Sequence, residues 1–194
     1  MNITRLELLS ADLEAQKDFY ANVLDLPVRR DSFILEVKAG KTVLLFTESP
    51  EFDGAYHFAF NIPENQLDSA KRWIESRVSL LRDENGIDEF HSENWNSSSL
   101  YFKDAAGNVL EFIARHNLKN AVNTEFEGKQ ILNVSEIGLP SEDVVGLADE
   151  ICKRLDVSVF RQEPNESFTP VGNDNGLLII PVKDRIWIPN SGVP

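Results

Sequence analysis

Residues 100–115 read LYFKDAAGNVLEFIAR, two strands joined by a tight turn, with a single acid inside the second strand. Asp104-Ala105-Ala106-Gly107-Asn108 supplies the turn, because Asp, Gly and Asn tolerate the backbone angles of a reversal. Val109-Leu110-Glu111-Phe112-Ile113-Ala114 is then apolar on both faces except at Glu111. A strand apolar on both faces is covered on both sides. An ionised carboxylate buried there costs on the order of several kcal/mol unless a cation, a metal or hydrogen-bond donors meet it. Glu111 therefore needs a partner.

Outward from this hairpin, the same order of elements recurs. Residues 3–9 alternate in polarity as a strand. Asp12 can cap a helix whose Leu13, Gln16, Phe19, Tyr20, Val23 and Leu24 share one face, and Leu26-Pro27 ends it. Residues 29–37 are strand material, and Ala39-Gly40-Lys41 turns into a strand over residues 42–47. The unit closed by the hairpin opens with Tyr56-His57-Phe58-Ala59-Phe60-Asn61-Ile62. Pro63 leads into a helix carrying Leu67, Ala70, Trp73 and Ile74, and residues 82–96 are polar and irregular. Aligning the two closing strands places Leu45 opposite Glu111. A weaker copy follows: a strand over residues 131–139, a helix opened by Pro140-Ser141, and the turn Asn173-Asp174-Asn175-Gly176 into Leu177-Leu178-Ile179-Ile180. Aligned on its turn glycine, Ile180 stands where Glu111 stands. Aligned on the proline after its first strand, Val134 stands where His57 stands.

The predicted fold class is therefore α+β, made of repeated βαβββ units. Two clear copies over residues 1–116 are expected to form a cup. A polar linker spans residues 117–130, and a degenerate third unit with a C-terminal tail spans residues 131–194. Because cups form from pairs, the third unit is expected to pair with its counterpart in a second chain, as a homodimer, or to cover the outside of the first pair.

Composition narrows the partners. The chain has 194 residues, 42% apolar and 26% charged, ordinary values for a globular protein. Its net charge of −13 argues against nucleic acid or an anionic membrane, both polyanions. The one cysteine, Cys152, excludes an internal disulfide framework and a cysteine zinc cluster, and reads as core packing. The chain start carries no charged-then-apolar leader, and no apolar run approaches the ~20 residues of a membrane span. A cytoplasmic location is expected.

Three stretches together resemble the vicinal oxygen chelate superfamily, which includes glyoxalase I, fosfomycin-resistance enzymes, extradiol dioxygenases and bleomycin-resistance (bleomycin-binding) proteins. They are Asp12-Leu13-Glu14 with Phe19-Tyr20 and Leu24-Asp25-Leu26, then Tyr56-His57-Phe58-Ala59-Phe60, then Tyr101 through Phe112 of the hairpin. The resemblance implies a cup whose floor holds a divalent metal (Zn, Mn, Fe, Ni or Mg), with ligands from the first and last strands of each unit. Carried onto this chain, the floor positions are Arg5, Leu45, His57 and Glu111. Many members use His, His and Glu at the first, third and fourth of these. His57 and Glu111 match; Arg5 replaces the first histidine, and Leu45 has no donor atom.

Each position carries two readings. His57 is a metal ligand or a histidine bonded to a buried acid. Glu111 holds a metal, or grips Arg5, whose guanidinium binds a carboxylate through parallel bonds. Glu7, on the strand face of Arg5, is a replacement ligand or a rim acid. Phe46, Trp95 and Tyr101 are expected to line an apolar pocket, Tyr101 giving it a polar tip. His91 reads as an exposed loop histidine, and Arg115 and His116 as rim charges. The expected function is metal-assisted lyase, isomerase or dioxygenase chemistry on a small oxygen-bearing molecule, with Glu111 or Glu7 moving a proton. The alternative is a metal-free binding protein in which Arg5 holds an anionic or drug-like small molecule; a third is a structural role with the cup filled by side chains.

Overall fold

The computed structural model describes residues 1–187 together with Pro189 and Gly192. Ile188, in the C-terminal tail, lies outside the described residues. The first four strands are β1 (Arg5–Ser10), β2 (Val28–Arg30), β3 (Ile34–Ala39) and β4 (Thr42–Glu48). They make a four-stranded sheet in the order β1-β4-β3-β2. Helix α1 (Leu13–Asp18) runs on as a π-turn over Phe19–Val23. Asp12 caps α1 by accepting the amides of Glu14 and Ala15.

The next strands are β5 (His57–Ile62), β6 (Phe90–Ser92), β7 (Ser97–Lys103) and β8 (Val109–Arg115), with α2 (Leu67–Glu75) after β5. The last segment holds β9 (Asn133–Gly138), α3 (Val144–Leu155), β10 (Phe168–Asn173) and β11 (Gly176–Pro181). All these strands share one seven-stranded sheet, in the order β10-β11-β9-β5-β8-β7-β6. The order β5-β8-β7-β6 repeats β1-β4-β3-β2, so the same strand–helix–strand–strand–strand pattern is laid out twice.

The pairing of units differs from the expectation. The second unit joins the third within one chain, through antiparallel pairing of β5 with β9. Among the described residues β1 pairs only with β4, so the first unit contributes no strand to a shared cup. The two sheets meet instead through a common apolar core, which runs from Leu8, Leu44 and Phe46 through Phe58, Phe60 and Phe112 to Val134 and Ile137. Residues 117–130 are not a loose tether. Phe126 packs against Trp73 and Phe112, with ring centroids 5.4 and 5.5 Å apart. No helix among the described residues is long and apolar enough to cross a membrane.

Asp104, in the turn that opens the sequence reading, bonds the two halves of this core. Its Oδ2 accepts from Gln16 Nε2 at 2.8 Å, Tyr20 Oη at 3.1 Å and Asn108 Nδ2 at 2.8 Å. Its Oδ1 accepts the amides of Ala106 and Asn108. The carboxylate thus shapes its own turn and ties it to the first helix. Removing it strands several buried donors. Asp104→Ala is expected to lower stability by about 3 kcal/mol, and Tyr20→Phe by about 1 kcal/mol, in urea denaturation followed by circular dichroism.

Candidate functional site

β5 and β8 alternate core and cavity faces. Phe58, Phe60, Leu110, Phe112 and Ala114 belong to the core cluster, while His57 and Glu111 face outward into a cavity of about 330 Å³. β9 supplies a third polar side chain, Glu136, through a local irregularity. Ala59 pairs with Glu136 but Phe60 pairs with Val134, leaving Ser135 as the extra residue of a bulge. A bulge re-aims the side chains that follow it. Val134 goes to the core, and Glu136 to the cavity beside His57 and Glu111.

One ligand-type atom from each of His57, Glu111 and Glu136 lies within 4.8 Å of the others, and all three residues are buried. Ala59 sits between the two acids, paired with Glu111 on one side and Glu136 on the other. Its methyl group leaves open the space where the donors converge. His57 Nδ1 lies 3.1 Å from the Val109 carbonyl. A carbonyl only accepts, so Nδ1 carries the hydrogen and Nε2 presents its lone pair toward Glu111 Oε2, 3.6 Å away.

Desolvation dominates the electrostatics. Burial pulls His57 down to about 4, which leaves the ring neutral at physiological pH. Burial and then the neighbouring Glu136 push Glu111 up to about 8, against hydrogen bonds from Ser99 and Tyr101 and the charge of Arg115. Burial raises Glu136 too, opposed by Arg115. Arg115 is fully buried; its Nη2 donates to Glu136 Oε1, and its Nε donates to Asn61 Oδ1 at 3.2 Å. The Arg115 guanidinium, which never deprotonates, favours the charged form of Glu136 and so works against the effect of burial there. Arg115 Nη1 and Asp174 Oδ1, 3.9 Å apart, are buried without hydrogen-bond partners.

The walls are aromatic. Phe90, Trp95, Tyr101, Phe168 and Trp187 line the cavity. Trp187 stacks on the His57 ring at 4.3 Å. It also lies over Gly138, where a Cβ would stand 2.5 Å from the indole.

Of the residues expected from sequence, the structure brings His57, Glu111, Trp95 and Tyr101 to this cavity, along with His91. It does not bring Arg5, Glu7 or Phe46. Arg5 and Glu7 lie on the first sheet, exposed and paired with each other at 2.7 Å. Phe46 is core, tilted against Tyr20 at 5.3 Å. Leu45 is on that sheet as well, opposite Glu7. The expected Arg5–Glu111 contact is therefore absent, because the cup joins the second unit to the third rather than to the first. Arg115 is no rim charge but the buried counter-ion of Glu136.

Sequence reasoning missed Glu136, Arg115 and Trp187. Glu136 is the one acid of its strand, but Asn133 and Ser135 beside it weaken the contrast that singled out Glu111. The bulge at Ser135 broke the alternation that would have assigned its face.

No family model matches the chain, and no curated protein matches its sequence. Among solved structures it is similar to a Bacillus subtilis subsp. subtilis str. 168 protein named as a candidate dioxygenase, with 15% identity and a TM-score of 0.68 over 94% of this chain. The chain spans 64% of that protein's length. An integron cassette protein from the mobile metagenome of a Halifax Harbour sewage outfall matches 58% of this chain and 97% of its own, with 23% identity and a TM-score of 0.50. Lactoylglutathione lyase from Agrobacterium tumefaciens matches 57% of this chain and 91% of its own, with 23% identity and a TM-score of 0.49. The chain shares the α+β fold of the Bacillus subtilis protein.

The buried proton on Glu111 makes a pH prediction for the metal-free protein. The folded value near 8 exceeds the usual 4.5, so the native state binds the extra proton. Its contribution to stability is full below about 4.5, falls as pH rises, and is lost above about 8. Glu111→Gln should remove this decline. The stability difference between Glu111→Gln and the natural protein, read by urea denaturation, is expected to grow in favour of the variant across that interval.

Proposed function

We propose that this chain carries a divalent-metal site made by His57, Glu111 and Glu136, and that the cavity above it takes a small, oxygen-bearing, mainly apolar molecule for lyase, isomerase or dioxygenase chemistry. The observation that supports this reading is the convergence of one imidazole nitrogen and two carboxylates in a buried cavity. Nitrogen and oxygen donors of this kind suit Mn²⁺, Fe²⁺ or Zn²⁺. Two acids forced together without water repel, and a cation between them relieves that repulsion. The hydrogen bond from His57 Nδ1 to Val109 fixes the tautomer that a ligand needs, and Arg115 orients Glu136 as an outer partner orients a ligating carboxylate.

A bound ion would act as a Lewis acid toward adjacent substrate oxygens. The rest of the work falls to the chain. Trp95, Tyr101, Phe168 and Trp187 exclude water and hold the apolar body of the substrate. Tyr101 and Ser99 hold Glu111 through hydrogen bonds. Held by these donors beside the substrate space, Glu111 is placed to take or give a proton at Oε1 or Oε2.

One observation favours the second reading, a metal-free binding protein. Arg115 already supplies Glu136 with a counter-charge. Calorimetric titration with Mn²⁺ and Zn²⁺ separates the two. Saturable binding of one ion per chain is expected, weakened by about 100-fold or more in His57→Ala and in Glu136→Ala, and unchanged in Arg5→Ala. Absence of saturable binding in the natural protein would leave the metal-free reading. Ala59→Leu, which fills the space between the acids without touching a donor atom, should also abolish ion binding.

A further inference from the structure

The turn after β11 brings a cation to the cavity. Val182 N bonds to the Ser167 carbonyl and Lys183 N to the Ser141 carbonyl, each at 3.0 Å, which fixes the chain as it leaves the sheet. Arg185 N then bonds back to the Val182 carbonyl across Asp184, whose φ of 64° lies in the left-handed region that aspartate tolerates. This reversal lays Arg185, Ile186 and Trp187 along the cavity that holds His57, Glu111 and Glu136. Among the described residues that line it, Arg185 is the only lysine or arginine.

Arg185 also differs from its neighbours in having no acid. Every other Lys and Arg of residues 131–187 has one: Lys153 has Asp149, Arg154 has Glu150, Arg161 has Asp174 and Lys183 has Glu142. Arg185 is half-buried and forms no ion pair among the described residues. Its guanidinium carbon lies 4.7 Å from the Phe168 ring centroid, and of its five N–H groups one makes a long bond, 3.5 Å, to the Ser167 carbonyl. Phe168 stacks on Trp95 at 6.3 Å, and Arg115 lies 5.6 Å from the Trp95 ring. One aromatic pair thus has a guanidinium beside each ring. Arg115 is committed to Glu136 and Asn61. Arg185 keeps its donors for a guest.

We propose that Arg185 is a specificity residue of this cavity and selects a small aromatic molecule that carries one carboxylate. The assignment rests on the reading of the cavity as the substrate site and adds the class of substrate to it. Walls made by Trp95, Phe168 and Trp187 suit a flat, apolar body. The carboxylate follows from Arg185, because a guanidinium fork matches two carboxylate oxygens through parallel bonds. A phosphate ester fits less well. It would bring a charge of about −2 against one guanidinium, into a space that already holds Glu111 and Glu136. With its carboxylate at Arg185, the guest leaves the three site residues to its remaining oxygens. The role expected of Arg5 from sequence, holding an anionic molecule, thereby passes to Arg185. Arg185 reaches the cavity because the third unit, and not the first, joins the second.

Benzoate, benzamide and phenyl phosphate test this when titrated into the chelator-treated full chain. The readout is the indole N–H signals of Trp95 and Trp187 in proton–nitrogen NMR spectra. Benzoate is expected to shift both signals saturably and to bind about 10-fold more tightly than benzamide, which keeps the ring and lacks the charge. Arg185→Gln should weaken benzoate by about the same factor and leave benzamide unchanged, the second result reporting an intact cavity. Phenyl phosphate should bind no more tightly than benzoate. Equal affinity for benzoate and benzamide, benzoate binding unmoved by Arg185→Gln, no saturable shift at Trp95 and Trp187, or tighter binding of phenyl phosphate would each overturn the proposal. None of these readings involves an ion. A chain that holds benzoate through Arg185 but takes up neither Mn²⁺ nor Zn²⁺ would therefore sink the metal reading alone.

Discussion

The antiparallel pairing of β5 with β9 is the contact on which the rest of the site depends. It brings the second and third units into one sheet and places Glu136 beside His57 and Glu111. A single bulged residue, Ser135, decides which side of that sheet Glu136 faces. Without the bulge the acid would share the face of the core, where nothing answers its charge. Arg115 completes the arrangement from β8, its charge fully buried and bonded to Glu136 and Asn61. Burying one partner of such a pair alone costs on the order of several kcal/mol, so Arg115 and Glu136 stand or fall together.

Burial then differentiates the site's groups. The same dry, aromatic-walled space that makes His57 a neutral donor forces the two acids to share their charge unequally. Burial raises both acids, and Arg115 opposes the rise at each, bonding directly to Glu136 alone of the two, so two chemically identical side chains meet different neighbours. The aromatic tail residue Trp187 adds to this by stacking on His57 and roofing Gly138, which further limits water.

Much of the fold was legible in the chain. The strand and helix order over residues 1–116, the Asp12 cap and the turns at Gly40 and Gly107 follow from local rules about spacing, capping and backbone freedom. The site was half legible. Glu111 announced itself as an acid in an apolar strand, Tyr101 followed from alternation along its strand, and His57 followed from the family resemblance. Arg115 did not, because a charged residue at a strand end looks the same whether it faces water or a buried acid. Arg5 misled for a related reason: it holds the right position in its own unit, but which unit stands opposite is not written locally.

The sequence by itself determined the units, their internal order and the need of Glu111 for a partner, since these depend on neighbours a few residues apart. Only the tertiary structure decided that the second unit pairs with the third and that the partner group holds Glu136 and Arg115. It also decided that the first unit turns its Arg5–Glu7 edge outward. Edge-to-edge pairing is made by backbone groups that every strand possesses, so residue pattern alone does not choose between edges. That choice falls to packing of the whole core, which runs continuously from Leu8 to Ile137.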